Sequence, residues 1–143
     1  MELDDNLLEK IKSLCLLGDE LSDGGDYKNA LPLYREAFEL VPNPKYDWET
    51  STWILTAILD VYFLSEEYEA AWEVADYLTH CPNAIGNPFI HMRIGQVAFE
   101  RGDLKRSVDE LTRAYMSEGL DIFSEENDKY IVFLKDQIGI KNA

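Results

Sequence analysis

Apolar residues return along this chain at the three-to-four spacing of an amphipathic helix. Leu14, Leu17 and Leu21 form one such stripe, and Ala30, Tyr34 and Ala37 form a second that stops before Pro42. Gly25-Asp26 stands between them. Glycine can close a helix in the left-handed conformation, and an aspartate oxygen can accept from the first N–H groups of the next helix. A helix, a short turn and a second helix are therefore predicted. Pro32 falls inside the second helix, where its missing donor and its ring predict a local bend. The pattern returns twice more. Leu55, Ile58 and Tyr62 precede Ala71 and Ala75, and His91, Ile94 and Ala98 precede Leu104, Leu111 and Ala114. A last segment, 124–138, carries Tyr130, Ile131, Phe133 and Leu134 and predicts a seventh helix.

The blocks are repeats of one unit. Gly18 leads to Gly25-Asp26-Tyr27 at the same spacing as Gly95 leads to Gly102-Asp103-Leu104. A middle block is expected between them around Glu67-Tyr68. There Leu59 stands at the place of Gly18 and Gly95, and Ala75 at the place of Tyr34 and Leu111. Large-for-small on one helix is answered by small-for-large on its partner, as conserved core volume requires. The blocks begin near Ile11, Thr52 and Pro88, and the extra residues between them, Asn43 to Tyr46 and Asn83 to Asn87, are turn-forming.

Leu14-x-x-Leu17-Gly18-x-x-Leu21, followed by Ala30-x-x-x-Tyr34, Ala37 and Pro42, resembles the tetratricopeptide repeat. Leu14 replaces that family's tryptophan, Ser107 an alanine and Gly119 a proline. The resemblance implies an all-α fold: a right-handed α-solenoid of three helical hairpins within one domain spanning 1–143. The repeats fall at about 11–44, 52–85 and 88–121, with a capping helix at about 124–138 that shields the last apolar edge. It also implies that the first helix of each hairpin lines a concave groove. Carried over residue by residue, the partner-binding positions are Asp19 and Asp23; Trp53, Thr56, Asp60 and Phe63; and Phe89, Met92, Gln96, Phe99 and Glu100. Lys12, Cys15, Ser22 and Leu64 share the same faces. The alternative is that the C-terminal helix folds into the groove and covers Phe63, Phe89 and Phe99.

Charge sharpens this picture. The 143 residues carry a net charge of -15, which argues against nucleic acid and anionic membranes as partners and favours a basic protein. Between Tyr46 and Met92 there are carboxylates but no lysine or arginine. An acidic, aromatic groove suits a partner offering Arg or Lys with apolar anchors. Cys15 and Cys81 have no ligand or disulfide spacing and read as reduced thiols of a cytoplasmic protein. The start of the chain lacks the basic and apolar regions of a signal peptide, and no apolar run is long enough to cross a bilayer.

Catalytic chemistry is not expected. His80, Cys81 and His91 could be imagined around zinc, but without a fourth ligand or regular spacing. Glu66-Glu67 and Glu125-Glu126 suit helix starts, where negative charge is favourable. No phosphate loop, nucleophile elbow or Cys/His pair is present. The expected function is therefore protein binding without enzyme activity, cofactor or metal. Two forms fit: a stoichiometric antagonist resembling the immunity proteins of bacterial polymorphic toxins, or a chaperone resembling those of type III secretion that holds an extended segment.

Overall fold

The structure, a computed structural model, describes residues 3–140. These residues are helical throughout, without strands, and divide into two compact units that meet at Ala84 and Ile85. The first unit holds α1 (Asp5–Asp23), α2 (Tyr27–Glu39), α3 (Glu49–Leu64) and α4 (Tyr68–Leu78), with a 3-10 turn at Lys45–Asp47. The second holds α5 (Pro88–Glu100), α6 (Leu104–Glu118), a 3-10 turn at Gly119–Phe123 and α7 (Asp128–Ile138). The seven predicted α-helices are present. The closest packing joins α1 with α2, α3 with α4 and α5 with α6, and α2 also packs against α3.

Local chemistry sets the boundaries. The Asp26 carboxylate accepts from the Asn29 N–H at 3.3 Å, and Asp103 from the Arg106 N–H at 3.1 Å. Asn87 caps α5 through the Ile90 N–H at 3.1 Å, with Pro88 as the first helical residue, where its missing donor costs nothing. Gly25 (φ 80°) and Gly102 (φ 82°) take the left-handed conformation just before these caps. The middle hairpin makes the same turn with Glu66 at φ 61°, and Glu67 supplies no side-chain cap. The seventh helix starts at Asp128 rather than Ser124, because Gly119–Phe123 forms its own turn and Asn127 caps the helix through the Lys129 N–H.

The hairpin cores follow the repeat register. Gly18 is buried, and a Cβ built there would stand 2.8 Å from Tyr34 Cε1. A Cβ at Gly95 would stand 2.7 Å from Leu111 Cδ2. Leu59 and Ala75 occupy the same positions in the middle hairpin, and both are buried. The serine at 107 is also explained: its buried hydroxyl donates to the Gly95 carbonyl at 2.7 Å. Hydrogen-bonded in this way, a small polar side chain substitutes for alanine at little cost.

Two apolar stripes need correction. On α1 the buried face is Ile11, Cys15 and Gly18, whereas Leu14 and Leu21 are half-buried and Leu17 is 51% exposed. On α6 Leu104 is exposed, and the buried face runs Ser107, Glu110, Leu111 and Ala114. The periodicity located an apolar row on each helix but not which row meets the partner helix. Helix α2 continues through Pro32, which sits on its exposed side.

Candidate protein-binding surface

In the first unit, the start of α1 and the start of α3 border a cleft of about 480 Å³. Leu3, Asp5, Leu8 and Lys12 line it from one side, and Trp48, Glu49, Thr50 and Trp53 from the other. The segment that carries Trp48 is pinned. Its indole N–H donates to the Pro42 carbonyl at 2.9 Å. The Lys45 ammonium donates to the carbonyls of Phe38, Glu39 and Val41, closing the C-terminal end of α2 where cations are favoured. Ser51 Oγ donates to the Lys45 carbonyl at 2.6 Å. Trp53 is left 37% exposed at the cleft wall.

The other predicted positions of this unit lie on α1 and α3. Asp19 and Asp23 are exposed, and Asp19 accepts from the Tyr34 hydroxyl. Thr56 is half-buried and donates to the Thr52 carbonyl at 2.6 Å, while Thr52 donates to the Pro82 carbonyl at 2.6 Å. Asp60 is half-buried. Phe63 is buried, its ring tilted against Tyr68 at 6.2 Å between centroids. Burial and the Asp19 bond push the Tyr34 hydroxyl well above the ordinary tyrosine range. Burial, with Asp19 nearby, pushes the Cys15 thiol up to about 11, and burial alone does the same for Cys81.

In the second unit the expected groove face of α5 is covered by the C-terminal segment, the arrangement given above as the alternative for Phe89 and Phe99. Met92 is buried in a cluster with Leu111, Ala114, Phe123 and Leu134, and Phe89 packs against it. Gln96 is fully buried and donates to Glu126 at 2.8 Å, while Arg93 donates to Gln96 at 2.8 Å and pairs with Glu126. The Arg93 guanidinium lies 4.8 Å from the centre of the Phe89 ring. Phe99 meets Tyr130 and Phe133 edge-on at 5.4 and 5.0 Å, and Glu100 accepts from the Tyr130 hydroxyl and pairs with Lys129. The last turn and α7 thus occupy this face. The physical cause is the apolar row Phe123, Tyr130 and Leu134, which has to be removed from water.

Within the histidine and cysteine constellation, His91 has two structural partners. The Gly86 N–H donates to His91 Nε2 at 2.8 Å, so the ring proton is on Nδ1, which faces Glu110 at 2.7 Å. Arg106 holds the other oxygen of Glu110 at 3.1 Å. Both His91 nitrogens are therefore engaged, His80 is exposed, and no group of three metal-ligating side chains occurs among the described residues.

Sequence reasoning placed Trp53 and Lys12 on a shared face, and both line the cleft. It missed Leu8, Trp48 and Glu49. The available signal was a tryptophan four residues after Pro44, just before the first turn of α3. No family of known proteins matches this chain, and no curated protein is significantly similar to it.

Proposed function

We propose that this chain is a non-catalytic protein-binding module of the tetratricopeptide type, which binds a basic protein through the first unit and neutralises it stoichiometrically. The observation that carries the reading is the charge of one stretch. Residues 46–84 hold Asp47, Glu49, Asp60, Glu66, Glu67, Glu69, Glu73 and Asp76 without one lysine or arginine, and Glu49 of this stretch lines the tryptophan-walled cleft together with Asp5 and Lys12. A single-signed surface raises the association rate for an oppositely charged partner by one to several powers of ten, and exposed indoles supply cation-binding faces and apolar anchors. Small size, strong acidity and two reduced, buried thiols fit a cytoplasmic antagonist of the immunity type, whose toxin partners act on polyanions and are themselves basic.

A chaperone reading has support from one feature, the apolar lining of the cleft by Leu3, Leu8, Trp48 and Trp53, which could hold anchors of an extended segment. The coverage of α5 by α7 weighs against it, because a long segment then lacks that face. The test is co-expression with a toxin domain encoded beside this gene. The antagonist reading expects a one-to-one complex and protection of the cells, both lost in the Trp53→Ala, Asp60→Arg double variant. Saturating binding of a short synthetic peptide, without protection, would replace it with the chaperone reading.

A further inference from the structure

We propose that the leucine edge of α1 pairs two copies of this chain through a two-fold axis. Leu14, Leu17 and Leu21 occupy the register that α3 fills with Leu55, Ile58 and Tyr62, and α5 with His91, Ile94 and Ala98. Those later residues are all buried: Ile58 is 4% exposed and Ile94 is 1%. In the first unit the cause is visible, since α3 packs against α2 and the Arg35 guanidinium lies 5.7 Å from the Tyr62 ring centre. The α1 row has the same chemistry and remains open at Leu17. The fold therefore already uses this register to accept a helix, and α1 presents one more surface of that kind.

The occupant follows from what the chain can offer in return. Leu7 extends the row upstream, giving Leu7, Leu14, Leu17 and Leu21 along the 19 residues of α1, about 28 Å of helix. Spacings of seven, three and four are those of a seam between two helices, and two identical rows can interlock antiparallel. An axis between Leu14 and Leu17 sets Lys10 of each copy beside Leu21 and Glu20 of the other, which gives the one cation in the row an anionic neighbour. Head-to-tail stacking on α7 lacks a matching row, because Tyr130 and Leu134 are buried within the second unit and Val132 is the lone exposed large apolar residue of that helix. One helix pair buries less than the roughly 1,200–2,000 Å² of a standard interface, so the dimer is weak, in the micromolar range. Net charge opposes it, so salt tightens it by screening. That direction is opposite to the salt response of an acidic face binding a basic partner, and it separates the two interactions.

The experiment is sedimentation equilibrium on the full chain from about 5 to about 500 µM at about 0.05 and 0.5 M salt. A monomer–dimer equilibrium that tightens with salt is expected. Leu17→Glu should raise its dissociation constant at least about tenfold, Leu17→Ala by a smaller factor, and Val132→Glu should leave it unchanged. Leu17 is half-exposed, so the variants should keep the helical circular dichroism of the parent, and the unsubstituted chain alone decides the outcome if one does not. A monomer at every concentration, a dimer that salt weakens, or a dimer indifferent to both Leu17 variants would overturn the proposal.

Discussion

Tyr34 lays its ring over Gly18, where α1 and α2 approach so closely that a Cβ at position 18 would stand 2.8 Å from Tyr34 Cε1 and displace the ring. Its hydroxyl then reaches Asp19, the next residue of the same helix. One tyrosine thus fills the gap that the glycine opens and anchors itself at the rim. Replacing Gly18 by alanine adds helix propensity, up to about 1 kcal/mol. It also overpacks a core position, which costs about 1–3 kcal/mol, so net destabilisation is expected. Gly95→Ala should cost more, because Leu111 contributes its backbone nitrogen at 3.0 Å as well as its side chain. Gly24→Ala is the control: its nearest neighbours are 3.6 Å away and φ is -83°, so it should be neutral or slightly stabilising. Urea unfolding midpoints of the three variants decide this.

The middle turn carries a correctable strain. Glu66 holds φ 61° where the flanking hairpins use glycine, and Glu67 leaves α4 without the side-chain cap that Asp26 and Asp103 give α2 and α6. A left-handed non-glycine residue costs about 1–2 kcal/mol, and a missing cap about 1. Glu66→Gly and Glu67→Asp should each raise stability by about 0.5–1 kcal/mol, as read by thermal unfolding, and as neighbours in one turn they need not add. A decrease for both would show that their carboxylates matter more than the backbone and the cap.

Much of this arrangement was legible in the sequence because it rests on residues with few alternatives. Gly25-Asp26 and Gly102-Asp103 announce their turns, and the exchange of Gly18/Tyr34 for Leu59/Ala75 announces a shared crossing. The buried faces of α1 and α6 were less legible. Leu17 and Ile58 look equivalent in the sequence, yet one is open and the other closed, since exposure depends on which neighbour arrives. The α5 face stayed open between two readings for the same reason: Met92 and Gln96 hold groove positions by register, but Phe123 and Leu134, distant in sequence, pack against Met92, and Glu126 accepts from Gln96. The cleft was half legible, Trp53 by register and Trp48 only through the fold of its loop.

The two thiols give a pH dependence with a definite sign. Cys15 and Cys81 are raised from 9.0 to about 11 in the folded chain. A raised value means the fold favours the neutral thiol, so this contribution is complete below pH 9 and is lost as the pH rises toward about 11. The melting temperature should therefore fall across that interval, and fall less in the Cys15→Ala, Cys81→Ala double variant. In the native state near neutral pH, alkylation by iodoacetamide should be about a hundredfold slower than for a free thiol, because the reactive thiolate is that much rarer. Rapid native alkylation of both would contradict their burial.

On the proposed function, the acidic first unit holds a basic protein at its tryptophan-walled cleft. The most direct test is the affinity of the purified complex with the captured partner, measured by calorimetry at about 0.05 and 0.5 M salt, for the parent chain and for Trp53→Ala, Asp60→Arg. At least about a tenfold loss from salt and at least about a tenfold loss from the double variant, with its fold intact, are expected. An affinity indifferent to both would contradict the proposed function.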